Sequence, residues 1–301
     1  MKKEFAIVEI GSTNTKGYVY RDGNIKELEF CNINFKKNFH KNRIIIDSDK
    51  KLLLNYLNKI NKETKNIYVY GTSIFRNLDK NQLIDFKNWL NNSITVKFYV
   101  VSSENENKYT VNGIIRNITT DDNIAVLIGG GGSTEIGICR KGHILEQANS
   151  SFGVVDIQEA FPSLINDITE IDFYEVVDYV KDNLKFPSLK AKTLILAGGD
   201  FILRYEKAAY PVEKNVLFSD NNCPYMIAID KNIKHDILYF NNISLNSLRK
   251  STPNNPKWWD GTRAMCACVD AVADEIGAKI LVPTKVSMIY GIIEEILRQD
   301  L

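Results

Sequence analysis

The stretch Glu9–Glu27, EIGSTNTKGYVYRDGNIKE, decides the fold because it returns as Ile128–Glu146, IGGGGSTEIGICRKGHILE. Aligned on Gly23 and Gly142, the two are offset by 142 − 23 = 119 residues. Each copy begins on an apolar strand, Phe5 to Ile10 or Ile124 to Ile128, and runs into a loop of Gly, Ser and Thr. A second strand follows, then a turn, Arg21-Asp22-Gly23-Asn24 or Arg140-Lys141-Gly142-His143, and a third strand opening at Ile25 or Ile144. Asp-Gly and Lys-Gly between apolar runs are hairpin signals. Fixed-period similarity of this kind predicts two related domains, each a mixed sheet with helices.

Outward from the repeat, apolar spacing predicts helices over Leu52 to Ile60, Leu83 to Leu90, Ser103 to Ile118, Phe173 to Leu184, Thr262 to Ile276 and Ser287 to Leu301. Strands are predicted at Ile67 to Tyr70, Val96 to Val101, Thr193 to Ala197 and Lys279 to Val282, with a turn at Gly198-Gly199. Asp121-Asp122-Asn123 is polar and aperiodic, so the boundary is placed there, giving domains 1–122 and 123–286. Segments around Asn38-Asn42, Asn221-Asn222 and Asn254-Asn255 read as surface loops.

Composition narrows the function classes. The 301 residues carry 38 Lys and Arg against 37 Asp and Glu, without a basic block, which argues against duplex nucleic acid as a partner. No apolar run approaches the ~20 residues of a membrane-spanning helix. The N-terminal apolar run breaks at Glu9, too soon for a signal peptide. Five scattered cysteines give no disulfide framework. The expectation is a soluble, cytoplasmic, reduced protein. His40, His143 and His235 lack zinc spacing, Cys266-x-Cys268 reads as structural thiols, and no nucleophile elbow is present. Trp258-Trp259 reads as core packing.

The two glycine-containing loops offer successive backbone N–H groups and hydroxyls with little side chain to block an anion. If the repeats face each other, both loops serve one anionic ligand. Glu9 ends an otherwise apolar strand, where a carboxylate is expensive without a metal or water contact.

At these residues the chain resembles the Ppx/GppA exopolyphosphatase and guanosine pentaphosphatase family. VEIGSTNT (Val8–Thr15) resembles its DIGSNS loop, GTSIFRN (Gly71–Asn77) its ATSALRE segment, and VSSENENKYTVNGI (Val101–Ile114) its ISGEEEARLAYLGV segment. GGGSTEI (Gly130–Ile136) resembles its second phosphate loop, SSFGVVDIQEAF (Ser150–Phe161) its SLPLGAVRLTERF segment, and AGGD (Ala197–Asp200) its GTGGT turn. The blocks follow the family's order across most of the chain. The resemblance implies an α/β fold of two ribonuclease-H-like (actin-like ATPase) domains, each a mixed sheet flanked by helices, with a ligand cleft between them. It also implies that the last helix, 287–301, packs back on the first domain, and that the C-terminal HD-type region of longer members is absent.

The same resemblance assigns roles. Glu106 stands at the catalytic glutamate, which orients and deprotonates the attacking water. Ser103-Glu104-Asn105-Glu106 also spells a capping box, so Glu106 as a helix cap stays open beside that role. Gly11, Ser12, Thr13, Asn14, Arg76, Gly131, Gly132, Ser133 and Thr134 are the implied phosphate-binding residues; a guanidinium fork suits phosphate oxygens. Glu9 and Glu135 are the implied ligands of Mg²⁺, with Glu135 as a solvated strand residue the alternative. Departures are equally specific. The aspartate of DIGGGSTE is Ile128 here, or Leu127 if the fourth glycine is an insertion; the GGT threonine is Asp200, and an arginine of the GLREGLL-like segment is Ile289.

These residues predict Mg²⁺-assisted release of terminal phosphate from inorganic polyphosphate or guanosine penta- or tetraphosphate. A catalytically weak polyphosphate or nucleotide sensor, and a small-molecule kinase of the superfamily, are the alternatives. A homodimer is compatible with every one of them.

Overall fold

The computed structural model describes residues 3–115, 118, 120–198, 200–217, 222–229, 235–253 and 255–299. Gly199, Asn221, Asn254 and the expected helix residues Arg116, Asn117, Asp300 and Leu301 lie outside that set. Two compact units are present, residues 1–106 and 107–301.

The first unit opens with β1 (Glu4–Ile10), β2 (Asn14–Arg21), β3 (Asn24–Glu27) and the short β4 (Cys31–Asn32). Then come α1 (Phe35–Asn42), α2 (Asp47–Glu63), β5 (Ile67–Gly71), α3 (Ser73–Arg76), α4 (Lys80–Ser93) and β6 (Lys97–Val100). The sheet order is β3-β2-β1-β5-β6, with β4 also on β2. Strands β1, β5 and β6 are parallel; β2 runs against β1, and β3, antiparallel to β2, runs in the direction of β1 again. Ala6, Val8 and Ile10 face a core built with Leu53, Leu57, Ile60, Phe86 and Leu90 from α2 and α4. Phe35, in that core, and the Lys36 N–H, which donates to Ser12 O, anchor α1, whose FKKNFHKN sequence has too few apolar residues to be read as a helix.

Helix α5 (Ser103–Ile115) crosses the division between Glu106 and Asn107. The division falls inside this helix and not at Asp121–Asn123, because Val111 and Ile114 join the second unit's core with Val126, Ile128 and Ile195.

The second unit contains β7 (Ile124–Gly129), β8 (Thr134–Arg140), β9 (His143–Ser150), α6 (Val154–Ala160), α7 (Phe173–Asn183), β10 (Thr193–Gly198) and α8 (Phe201–Lys207). Strands β11 (Glu213–Lys214) and β12 (Tyr225–Ala228), helices α9 (His235–Asn242), α10 (Leu245–Ser251) and α11 (Thr262–Ile276), then β13 (Ile280–Pro283) and α12 (Met288–Gln299) complete it. Its sheet order is β11-β12-β13-β10-β7-β8-β9, with β7, β10 and β13 parallel. Helix α12 packs on α5 within this unit: a Cβ on Gly291 would collide with the Tyr109 carbonyl oxygen, and one on Gly113 would lie 2.9 Å from Tyr290 Cβ. Arg263 on α11 is fully buried and donates to the carbonyls of Phe240, Leu164, Asn166, Asp167 and Ile243, satisfying two loops that have no ladder of their own. Trp259 is a core residue, its Nε1 donating to Thr252 Oγ1 at 2.8 Å.

The repeat keeps its register at the glycine loop and at the hairpin turn, and differs between them, where β8 and β9 shift register at Ile138/Cys139. Ile10 pairs with Thr15 and Gly129 with Thr134; Thr15 pairs with Cys31 and Thr134 with Ser150. Both hairpins turn through left-handed pairs, Asp22-Gly23 and Lys141-Gly142, as a two-residue turn between twisted strands requires. Among the described residues no helix is long and apolar enough to cross a membrane.

Candidate functional site

In the first unit the candidate residues gather at the carboxyl ends of the parallel strands, where open α/β sheets bind ligands. The loop after β1 is closed by Gly11 N–H donating to Asn14 O at 2.8 Å. Ile33 N–H donates to Thr13 O at 3.2 Å, and Lys36 N–H in the first turn of α1 to Ser12 O at 3.0 Å. In a planar trans peptide the carbonyl and the following N–H point opposite ways. Holding the Ser12 and Thr13 carbonyls toward α1 therefore turns the N–H groups of Thr13 and Asn14 away from it. Ser12 is buried and its hydroxyl has no hydrogen-bond partner among the described residues.

The neighbouring strand ends are laced to this loop. Thr72 donates to Ile10 O from both its N–H (3.1 Å) and its hydroxyl (3.2 Å), and Val101 N–H donates to Gly71 O at 2.9 Å. Arg76, on the single turn of α3, donates from Nη1 to Val101 O at 3.0 Å and to Glu106 Oε2 at 2.6 Å. Both side chains are largely withdrawn from water, 17% and 12% exposed. Burial pushes the Glu106 carboxyl above the usual carboxylate range, and the Arg76 charge and hydrogen bond pull against it.

Glu106 is not the helix cap. Ser102, one residue earlier than the sequence spelling suggests, caps α5: its Oγ accepts from Asn105 N–H at 3.2 Å, leaving the Glu106 side chain to face Arg76. Glu9 lies half-buried on β1 between Lys16 of β2 and Tyr70 of β5. The carbonyl of Val101 and the two hydrogen bonds of Thr72 to Ile10 O were not legible in the sequence; only the contiguity of Thr72 with Ser73 and Arg76 pointed there.

The second unit repeats the loop in backbone alone. Gly130 N–H donates to Ser133 O at 3.0 Å, while Val154 and Val155 N–H, opening α6, donate to Gly130 O (3.1 Å) and Gly131 O (2.9 Å). The N–H groups of Gly131 and Gly132 thus point away from α6 by the same peptide geometry. The Val155 bond answers the Lys36 bond of the first unit at the offset of the repeat, 155 − 36 = 119. Gly153 sits against this loop so tightly that a Cβ there would lie 2.6 Å from Gly130 O and 2.9 Å from both Gly132 N and Ser133 N. Asp156 Oδ2 accepts the Gly153 N–H at 2.7 Å. Ser133 and Thr134 are buried, and Thr134 Oγ1 donates to Phe152 O at 2.8 Å.

Glu135 is 1% exposed, so it is not a solvated strand residue. Its cross-strand neighbours are Ile128 on β7 and Asn149 on β9. Of the two residues aligned with the aspartate, Ile128 shares the rung and face of Glu135, and Leu127 belongs to the core on the other face. Asp200 precedes α8 in a left-handed conformation, φ 49°, and Ile289 is fully buried in α12.

For a divalent cation the donors are hard oxygens: one carboxylate in each unit, Glu9 and Glu135, with buried amides near the latter. Among the described residues no three His, Cys, Asp or Glu side chains gather as a metal cluster. Each carboxylate taken within its own unit is of the chemistry that suits a cation such as Mg²⁺, which keeps several waters and takes only one or two carboxylates from protein.

Against known proteins, a sequence model of the Ppx/GppA phosphatase family matches residues 49–214. No curated protein matches the chain. Among solved structures, an exopolyphosphatase from Cytophaga hutchinsonii is similar with a TM-score of 0.79 at 15% identity, covering 99% of this chain and 98% of that one. The Aquifex aeolicus member of the Ppx/GppA family gives 0.70 at 14% identity, with 100% of both chains covered. An exopolyphosphatase-like protein gives 0.72 at 16%, covering 98% of each. At such identities the likeness is one of fold, and the fold is the expected one: two mixed sheets flanked by helices.

Proposed function

The chain belongs to the Ppx/GppA phosphatase family, and on that premise we propose that it hydrolyses a phosphoric anhydride, releasing terminal phosphate from inorganic polyphosphate or guanosine pentaphosphate. The observation that carries the reading is the buried Arg76–Glu106 pair at the carboxyl ends of β1, β5 and β6. Pairing a guanidinium with a carboxylate of raised proton affinity gives one group for a phosphoryl oxygen and one for a water proton.

In this mechanism the phosphate ligands are the N–H groups of Thr13 and Asn14 and the Ser12 hydroxyl in the first unit, and the N–H groups of Gly131 and Gly132 and the Ser133 hydroxyl in the second, while Thr134 holds its loop through Phe152 O. Arg76 exchanges the Glu106 carboxylate for an oxygen of the terminal phosphoryl group. Glu106 then orients a water and accepts its proton as the water oxygen bonds to the terminal phosphorus. The bond from that phosphorus to the bridging oxygen breaks, and the shortened chain leaves with the bridging oxygen. Glu9 in the first unit and Glu135 in the second would each offer a carboxylate to Mg²⁺, which would supply neutralisation of charge on the phosphate oxygens. Positioning and electrostatics, not a covalent intermediate, lower the barrier.

Phosphate release from long-chain polyphosphate and from guanosine pentaphosphate, with wild type beside Glu106→Gln, tests the reading. A general base predicts a loss of roughly 10²-fold or more in kcat. Equal rates in the two proteins would remove Glu106 from the chemistry. A second reading, a sensor that binds polyphosphate with little turnover, is favoured by Ile128 and Ile289 at positions where the family pattern has Asp and Arg. Tight polyphosphate binding without phosphate release in wild type would select it.

A further inference from the structure

Asn107, the residue after Glu106, is 0% exposed, and neither Oδ1 nor Nδ2 has a hydrogen-bond partner among the described residues. A buried amide with both ends unsatisfied calls for a polar species beside it. Its direction is set by Gly137 on β8: a Cβ there would lie 2.6 Å from Asn107 Oδ1 and 3.4 Å from its Cγ, so the amide rests on a bare α-carbon. Gly137 and Glu135 are two residues apart on one strand, hence on one face and about 7 Å apart. Directly across from Glu135 on β9 stands Asn149, whose Oδ1 is also buried without a partner. Directly across on β7 stands Ile128, which offers no donor.

We propose that Asn107 and Asn149 complete, with Glu135, an oxygen site for a hard divalent cation on this face of the second unit, their amide oxygens serving where Ile128 cannot. The inference deepens the Mg²⁺ assignment made above and rests on it. Within the second unit, one carboxylate with two neutral amides matches the oxygen chemistry of such ions, and these donors carry one negative charge where the aspartate-containing pattern of the same unit carries two. The affinity is accordingly set low and is open to increase by restoring charge. The bare α-carbon at Gly137 is what lets the Asn107 amide oxygen approach β8, so the two residues work as a pair.

The test uses Mn²⁺ alone as the probe, titrated into the full chain without phosphate substrate and followed by the electron paramagnetic resonance signal of the free ion. Asn107→Asp is expected to tighten Mn²⁺ binding by roughly tenfold or more, and Asn107→Ala to weaken it by a similar factor. Ile128→Asp, which leaves Asn107 intact, is expected to tighten it as well, so the outcome does not hang on one variant's folding. Mn²⁺ affinity unchanged in Asn107→Asp and Asn107→Ala, both folded by circular dichroism, overturns the proposal and leaves an ordinary buried water as the amide's companion. The readout is separable from turnover. If polyphosphate is not hydrolysed but Asn107→Asp tightens Mn²⁺, the site stands and the hydrolase reading falls. If hydrolysis depends on Glu106 while the Asn107 variants bind as wild type, the site falls alone.

Discussion

At the scale of single residues, Glu106 and Arg76 decide the pH behaviour. Burial raises the Glu106 carboxyl and Arg76 only partly offsets it. A general base works ionised, so the acidic limb of kcat/KM is expected above the ordinary carboxylate range. Arg76→Ala removes a charge and a hydrogen bond that lower this proton affinity, so the limb should move further up while KM rises. A pH–rate profile of the two proteins measures both; a limb that stays put would show that Arg76 does not act on Glu106. Stability carries the opposite sign. A carboxyl whose folded proton affinity is raised favours the fold below the unfolded value, and that contribution is lost as pH rises through the folded one. Of this site, the loops and Glu106 were legible from spacing and resemblance. The pairing of Arg76 with Glu106 was not, since the two lie 30 positions apart and nothing local encodes their contact.

Among elements, the meanders were legible because apolar alternation and Asp-Gly or Lys-Gly turns are local signals. Helix α1, β4, β11, β12, α9 and α10 were not: they are short, and their formation depends on partners distant in sequence, as the Lys36 bond to Ser12 shows. The helix N-termini that hold the two loops make a sharp prediction. Gly153→Ala places a methyl against backbone atoms of Gly130, Gly132 and Ser133, which cannot rotate away. It is expected to cost about 1–3 kcal/mol and to weaken phosphate binding, as overpacking does. Gly142→Ala, at φ +77° but with nothing within 4 Å, is expected to cost only about 1 kcal/mol and to leave phosphate binding alone. Urea denaturation beside phosphate titration distinguishes them, and equal effects of the two substitutions would refute the contact argument.

Over the whole molecule, the cysteines report on the cores. Cys139, Cys223, Cys266 and Cys268 are buried in the second unit, and burial pushes the Cys139 and Cys268 thiols up to about 12. Cys31, in the first unit, is half-buried. Native protein should therefore release one equivalent of thionitrobenzoate from a disulfide dye, slowly because Cys31 too is raised, and the remaining four only on unfolding. Rapid reaction of several thiols in the native state would mean that the second core opens far more readily than its packing implies. The fold class was legible at this scale because one stretch repeats. The division inside α5 was not, because helix periodicity runs through it without a break.

The repeated hairpins have a consequence for ancestry. The offset of 119 maps Glu9 onto Ile128 and Lys16 onto Glu135, and each couple is a direct cross-strand pair. Each half thus keeps a single carboxylate at the same rung, but on opposite strands, with a lysine beside it in one half and an isoleucine in the other. Descent from a duplicated gene would require charge to have been exchanged across that rung after copying. The halves share a backbone and are no longer interchangeable parts: either one grafted onto the other would deliver the wrong charge to the right place.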